Sequence, residues 1–330
     1  MSDVILSIKG LKTNFYTYAG LVKALDGINL DIYKGETLGL VGETGCGKSV
    51  TALSIMRLIR WPPGKIDEGS MIFEGKDLLK LSEKEMRGIR GNKISMIFQE
   101  PMTSFNPVFT IGDQISEVLI LHQHMDKKTA WNKAIEMLSL TGIPAPENVA
   151  KEHPHELSGG MLQRAMISMA LACQPHLLIA DEPTTALDVT IQAQILELIR
   201  DLKRRMNSTV LIITHDLGVV ADTCDRVVVM YAGNVVELCD VHCVFNNPKH
   251  PYTVGLISSI PKLSQKAGDK LETIPGSVPN LITPPMGCRF HPRCSKAMDI
   301  CKKEKPAVIE VEKGHLVSCH LYDDLFGKVS

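Results

Sequence analysis

The sequence carries almost no net charge. Its 36 Lys and Arg against 37 Asp and Glu leave −1 at pH 7, so no overall field draws the chain toward nucleic acid or anionic lipid. It also lacks a long clean apolar run. The longest, "AMISMALACQPHLLIA", is broken by Gln174, Pro175 and His176 and falls short of the roughly 20 residues of a membrane span. The opening "MSDVILSIKG" has an acid at Asp3 and only a brief apolar stretch, so it does not read as a secretory signal. Neither an internal repeat nor a low-complexity tract is visible. These absences lead to the expectation of a cytoplasmic chain. In such a compartment nine cysteines are expected to be buried, reactive or metal-bound rather than paired.

What is present is enough for two domains: 330 residues, 44% of them apolar. "TLGLVG", "ISMIFQ", "HLLIAD", "TVLIITH" and "RVVVMY" read as strands buried on both faces, as in a parallel sheet. "KSVTALSIMRLIR" and "IQAQILELIRDLKRRM" place apolar residues at helical spacing. The alternation predicts an α/β domain. "VVVMYAGNVVEL" predicts a hairpin around Gly233-Asn234. Composition then changes. Eight of the 18 prolines (248, 251, 261, 275, 279, 284, 285 and 292) crowd the stretch from 248 to 292, a density that helices and central strands do not accept. A boundary near residue 240 is expected, with 1–240 as one domain and 241–330 as a loop-rich appendage.

"GLVGETGCGKS" holds Gly42, Gly47, Lys48 and Ser49 at the Walker A spacing. Glycines let consecutive N–H groups turn inward around phosphate oxygens, and the helix that opens near Lys48 adds its positive end. Lys48 is expected to reach the β/γ-phosphates and Ser49 to ligate Mg²⁺. A chance glycine loop is the plain alternative, but this one follows a strand and opens a helix. Downstream, "HLLIADEP" ends an apolar strand in two carboxylates. Asp181 is placed for the Mg²⁺ shell and Glu182 as general base for an attacking water. Cys46, inside the loop at a helix start, is expected to favour the thiolate.

Between these motifs, "LSGGM" at Leu157–Met161 resembles the signature of the ABC (ATP-binding-cassette) ATPases. The other landmarks follow in that family's order: Gln99 in "MIFQEP", Asp188 in "TTALD" and His215 in "IITHD". Phe15 stands where the family has its adenine-stacking aromatic, with Tyr16 as the neighbouring alternative. The resemblance implies an α/β fold, a P-loop NTPase nucleotide-binding domain with a RecA-like core. Antiparallel β and helical subdomains (the helical one about 100–160) and a small C-terminal domain would complete it. It implies an ATPase that binds ATP and Mg²⁺. Gly42, Glu43, Thr44, Gly45, Cys46, Gly47, Lys48, Ser49 and Val50 would surround the phosphates. Ser49, Gln99 and Asp181 would hold Mg²⁺, and Glu182, His215, Gln99 and Lys48 would serve catalysis. Ser158, Gly159 and Gly160 would close the nucleotide site of a second cassette supplied by another chain. Met161 departs from the family's usual Gln, although the phosphate-facing Ser158 and Gly160 are kept.

Gln99 and Leu157 stand 58 positions apart, too few for the coiled-coil or zinc insertions of the repair and chromosome types. "FQEPMTSFNPVFTIGDQI", "HPHELSGGMLQR", "HPYTVGLISSIP" and "GCRFHPRC" are similar to the dipeptide/oligopeptide and nickel permease branch. That branch implies import of dipeptides or oligopeptides at the cytoplasmic face of the membrane. Its partners would be a related second ATPase, two membrane permeases and, indirectly, an extracytoplasmic peptide-binding protein, with no nucleic acid. A soluble redox-sensing regulatory ATPase, uncoupled from any permease, is the competing reading.

Cys288, Cys294, Cys301 and Cys319 are separated by five, six and seventeen residues. The pairs typical of structural zinc sites are closer, so spacing alone names no metal. Four buried free thiols, a Cys₄ zinc site and an iron–sulfur cluster all remain open on the residues. The resembling branch implies a [4Fe–4S] cluster, acting as a structural clamp in a segment poor in apolar runs. His291, His315 and His320 are expected to be outside the ligand set, and Cys239, His242 and Cys243 to be ordinary packing.

Overall fold

A computed structural model describes residues 3–185, 188–260 and 273–323. Ala186 and Leu187 of "TTALD" and Pro261 of the proline-rich stretch lie outside the described residues. The chain's contacts fall into two compact units. One contains Tyr33–Thr37 and Lys80–Ile213; the other contains Val4–Ile32, Leu38–Leu79 and the chain from Thr214 onward.

In the unit that includes 80–213, three parallel strands stand side by side in the order Thr209–Ile213, Leu177–Asp181, Ile94–Ile97. Every residue of the three is buried, as their largely apolar composition favours, with Ser95, Asp181 and Thr209 the polar exceptions. Helices Ile111–Gln123, Lys127–Leu140 and Gly159–Leu171 bury Ile115, Leu119, Met137, Leu138, Leu162 and Met166 in one cluster. Each starts on a side-chain cap: Thr110, Asp126 and Ser158 accept amides of the first turn. Val189–Met206 buries Ile195, Leu196, Ile199 and Leu202 on one face, and Lys203, Arg204 and Arg205 complement its C-terminal dipole.

The other unit has two groups of strands. An antiparallel sheet runs Gly20–Tyr33, Val4–Thr17, Gly64–Phe73, Lys76–Asp77. A second set runs Val308–Glu312, His315–Ser318, Asn234–Asp240, Arg226–Tyr231, Thr37–Val41, with the last two parallel at Leu38↔Arg226 through Val41↔Val229. The expected hairpin is present. Its turn residues are Ala232 and Gly233, at φ 46 and 81, one position earlier than "GN" suggested.

Two features differ from the sequence-based picture of the tail. A helix, Pro251–Ser258, lies inside the proline-rich stretch, because Pro251 takes its first position, where an N–H has no partner to lose. The hairpin Val308–Glu312/His315–Ser318, turned at Gly314 (φ 75), adds two strands to what read as loop. Its strands of five and four residues are too short for a periodic signal.

His250 caps the Pro251 helix. Its Nδ1 accepts the Tyr252 amide at 3.0 Å, so the ring must be neutral there, and its own amide donates to Glu237 Oε2 at 2.8 Å. Burial pushes its pKa down to about 4, against the pull of Glu237. The unfolded chain therefore takes up this proton first. Stability rises with pH between about 4 and 6.5, and acidification across that window should cost about 3 kcal/mol from this group. His250→Asn keeps a cap acceptor but cannot titrate. Its melting temperature, followed from pH 7 to 4.5, should fall less steeply than that of the wild type; parallel curves would reject the assignment.

Candidate functional site

The phosphate loop joins the strand Thr37–Val41 to the helix Lys48–Ile55. Its glycines are fixed by their neighbours. A Cβ at Gly42 (φ 148) would stand 2.2 Å from the Met230 carbonyl oxygen, and one at Gly47 (φ 107) 2.9 Å from that of Ala24. Gly47 caps the helix without a side-chain hydrogen bond, so no capping side chain competes with an anion at this helix start. Thr44 and Gly45 form the exposed tip, while Ser49 and Val50 are half-buried. Lys48 is buried, its Nζ donating to the carbonyl oxygens of Gly42 at 2.7 Å and Glu43 at 3.2 Å. An incoming phosphate can take over that ammonium by replacing carbonyl dipoles with full negative charge.

Cys46 corrects the sequence expectation. Its side chain is fully buried, turned under Gly42 rather than toward solvent. Burial pushes its pKa up and outweighs the Lys48 charge and the loop amides, so the thiol stays protonated.

The two aromatic candidates separate by strand face. Thr13 Oγ1 lies 3.0 Å from Ser54 Oγ on the phosphate-loop helix, and Phe15, two residues on, shares that face. Tyr16 shares the opposite face with Asn14, and both donate to Asp67 Oδ2. His215 is exposed at the foot of the helix Leu217–Thr223.

In the other unit, Asp181 is buried at its strand end and Glu182 follows in a left-handed conformation, φ 47. Glu182 Oε2 accepts from Gln99 Nε2 at 3.0 Å and from Thr185 Oγ1 at 2.8 Å. Gln99 and Glu182, 83 residues apart, are thus brought together. Gln163, which the sequence did not single out, is buried and donates to the Pro183 carbonyl at 2.7 Å, fixing the turn after the carboxylates. No local pattern marks it. In the signature, Leu157 is buried and anchors the segment, whereas Ser158 and Gly159 are exposed at the start of a 13-residue helix. A Cβ at Gly159 would meet nothing within 4 Å. The surface there is open to a neighbouring molecule.

The four tail cysteines share one neighbourhood. Cys301 and Cys319 are buried and Cys288 and Cys294 half-buried. Burial raises the pKa values of Cys288, Cys294 and Cys319, the last to about 12, and nearby thiols of the same group raise each further. Each sulfur also faces a backbone amide: Phe290 and His291 for Cys288, Lys296 for Cys294, Met298 for Cys301 and Leu321 for Cys319. The three nearby histidines have other partners. His291 Nδ1 lies 2.9 Å from the Cys288 carbonyl oxygen, His315 Nε2 2.7 Å from Glu237, and His320 bridges Asp323 and the Glu304 carbonyl.

Glu237, Cys239 and His315 place three donor atoms within 4.8 Å of one another. The Glu237 oxygens are already met by His315 and by the amides of Lys249 and His250, which makes the group an anchor for the Pro251 helix.

Residues 25–185 match the ABC transporter family, and residues 236–301 match the oligopeptide/dipeptide transporter C-terminal region. The oligopeptide transport ATP-binding protein AppD of Bacillus subtilis is 54% identical, covering 98% of each chain. The dipeptide transport ATP-binding protein DppD of the same organism is 51% identical over 97% of this chain and 96% of its own. The chain belongs to the ABC transporter ATP-binding proteins, in their oligopeptide/dipeptide branch. Among solved structures, the ATP-binding cassette MJ0796, a dimer in a post-hydrolysis state with ADP and Pi, is 28% identical with a TM-score of 0.65, over 72% of this chain and 98% of its own. Such a cassette is a P-loop ATPase, and the phosphate loop, the carboxylate pair and the signature described above are parts of it. Among the described residues no helix is long and apolar enough to cross a membrane.

Buried and protonated, Cys46 in the native cassette should react with a maleimide more than about tenfold slower than in urea. Mass-spectrometric labelling checks this; equal rates would put the thiol at the surface.

Proposed function

We propose that this chain is one of two ATPase subunits that drive import of dipeptides or oligopeptides. It would sit peripherally on the cytoplasmic face of the membrane against two permease subunits, with a binding protein outside delivering substrate. The observation that carries this reading is the exposed start of the helix at Ser158–Gly160 in a chain with a single phosphate loop. A helix N-terminus facing solvent offers amides and a dipole to the phosphates bound by a second cassette, and that cassette offers the same in return.

In this reading residues 42–50 hold the ATP phosphates and Phe15, rather than Tyr16, stacks on adenine. Ser49, Gln99 and Asp181 would hold Mg²⁺, which supplies charge neutralisation at the phosphates when bound. Glu182, oriented by Gln99 and Thr185, accepts the proton of the attacking water, and His215 assists it. Residues 1–240 act as the cassette and 241–330 as an accessory domain. Cys288, Cys294, Cys301 and Cys319 would carry a [4Fe–4S] cluster. The donor set supports this, because gathered thiols that raise one another's pKa need a cation to neutralise them as thiolates, and each already has an amide donor. When bound, the cluster would supply a cross-link among the four segments that carry these cysteines.

Glu182→Gln should reduce ATP turnover by roughly two to four orders of magnitude while ATP still binds, measured as phosphate release and nucleotide affinity in the assembled transporter. Turnover near the wild-type rate would remove Glu182 from the base role. Iron and acid-labile sulfide in equal amounts are expected after anaerobic purification; stoichiometric zinc without sulfide would overturn the cluster.

A further inference from the structure

The cysteine segment and the phosphate loop are joined by an ion pair that the reaction does not consume. Arg293 directly precedes Cys294, and its side chain is 5% exposed. Its guanidinium makes two parallel bonds to the Glu43 carboxylate, Nη1 to Oε2 at 2.6 Å and Nη2 to Oε1 at 3.0 Å. Its Nε donates to the Pro275 carbonyl at 2.9 Å, and Nη1 and Nη2 also reach Tyr231 OH and the Ile274 carbonyl, both at 3.3 Å. All three nitrogens are committed, so the fork is held rigidly. At the other end, Glu43 is the second residue of the phosphate loop. Its amide donates to Tyr252 OH at 2.8 Å, and its carbonyl accepts from Lys48 Nζ.

Glu43 is thus attached at three points, which fix its place in the loop. A lone carboxylate in a loop that receives a polyanion would repel it. A buried guanidinium removes that charge and at the same time fixes where the following amides point. We propose that Arg293 is a positioning residue for nucleotide binding, through which the cysteine segment sets the charge and conformation of the phosphate loop. This rests on ATP occupying that loop, but not on which metal the four sulfurs hold.

The test is calorimetric titration of ATP into the full-length protein, with metal content and melting temperature measured for each variant. Arg293→Met should weaken ATP binding about tenfold at unchanged metal content, and Arg293→Lys, which keeps the charge and loses the fork, by about threefold. The double variant Glu43→Gln/Arg293→Met should recover most of the affinity, because the uncompensated carboxylate is gone. Affinity within twofold of wild type in both single variants, or a double variant that binds ATP no better than Arg293→Met, would overturn the proposal. So would ATP affinity lost only together with metal and melting temperature, since that is the pattern of a purely structural residue. If ATP fails to bind wild type at this loop, the reading of the site fails first, and that outcome is separate from any difference among the variants.

Discussion

Everything in the cassette follows from a helix start left without a side-chain cap. No side chain caps the turn after Gly47, and the aligned peptide units give that end of Lys48–Ile55 a partial positive charge. The loop keeps this arrangement because its glycines have no alternative. Gly42 is pressed against the Met230 carbonyl and Gly47 against that of Ala24, so the strand Arg226–Tyr231 on one side and the strand Gly20–Tyr33 on the other define the loop's path. Lys48, resting on two carbonyl oxygens, adds a full charge at small cost, because those dipoles are a weaker partner than phosphate.

The parts that could be read from the sequence are those whose physics is local. A phosphate loop, a strand ending in two carboxylates and a serine-capped signature helix each need a fixed run of neighbours, and their runs are intact. The buried parallel strands were legible for the same reason. Cys46 was misread because proximity to a helix start is a sequence property whereas burial under Gly42 is a tertiary one, and desolvation is the larger effect. Gln163 and its bond to the Pro183 carbonyl, and the ion pair between Glu43 and Arg293 250 residues apart, leave no periodic trace. Nor does the tail hairpin, whose short strands follow a stretch dominated by proline.

Aromatic packing explains how the tail can matter to the loop. Tyr231, Tyr252 and Phe290 meet at centroid distances of 4.7, 5.0 and 5.4 Å. Phe290 sits two residues from Cys288, and Tyr252 uses its hydroxyl on the Glu43 amide. One cluster therefore both buries the cysteine segment's apolar surface and holds the amide of the loop's second residue. A change that loosens the first is transmitted to the second without any long pathway.

Charge reinforces the same junction from the other side. Arg289, next to Cys288, donates to the carbonyls of Ala232 and Lys23 and pairs with Asp26, which Lys305 also engages. Burial alone would raise the Asp26 pKa, but the two cations outweigh it and keep the carboxylate ionised. Ala232 belongs to the turn whose Gly233 amide donates to the Cys46 carbonyl. The two arginines of "GCRFHPRC" thus grip the phosphate loop at both ends, Arg293 at Glu43 and Arg289 through the turn behind Cys46. Between the two arginines, Phe290 shares one buried apolar cluster with Tyr231, Tyr252, Val244 and Val41, and Cys288 and Cys294 pack against it. The packing that buries the cysteine segment therefore also determines how firmly the cassette's phosphate loop is held.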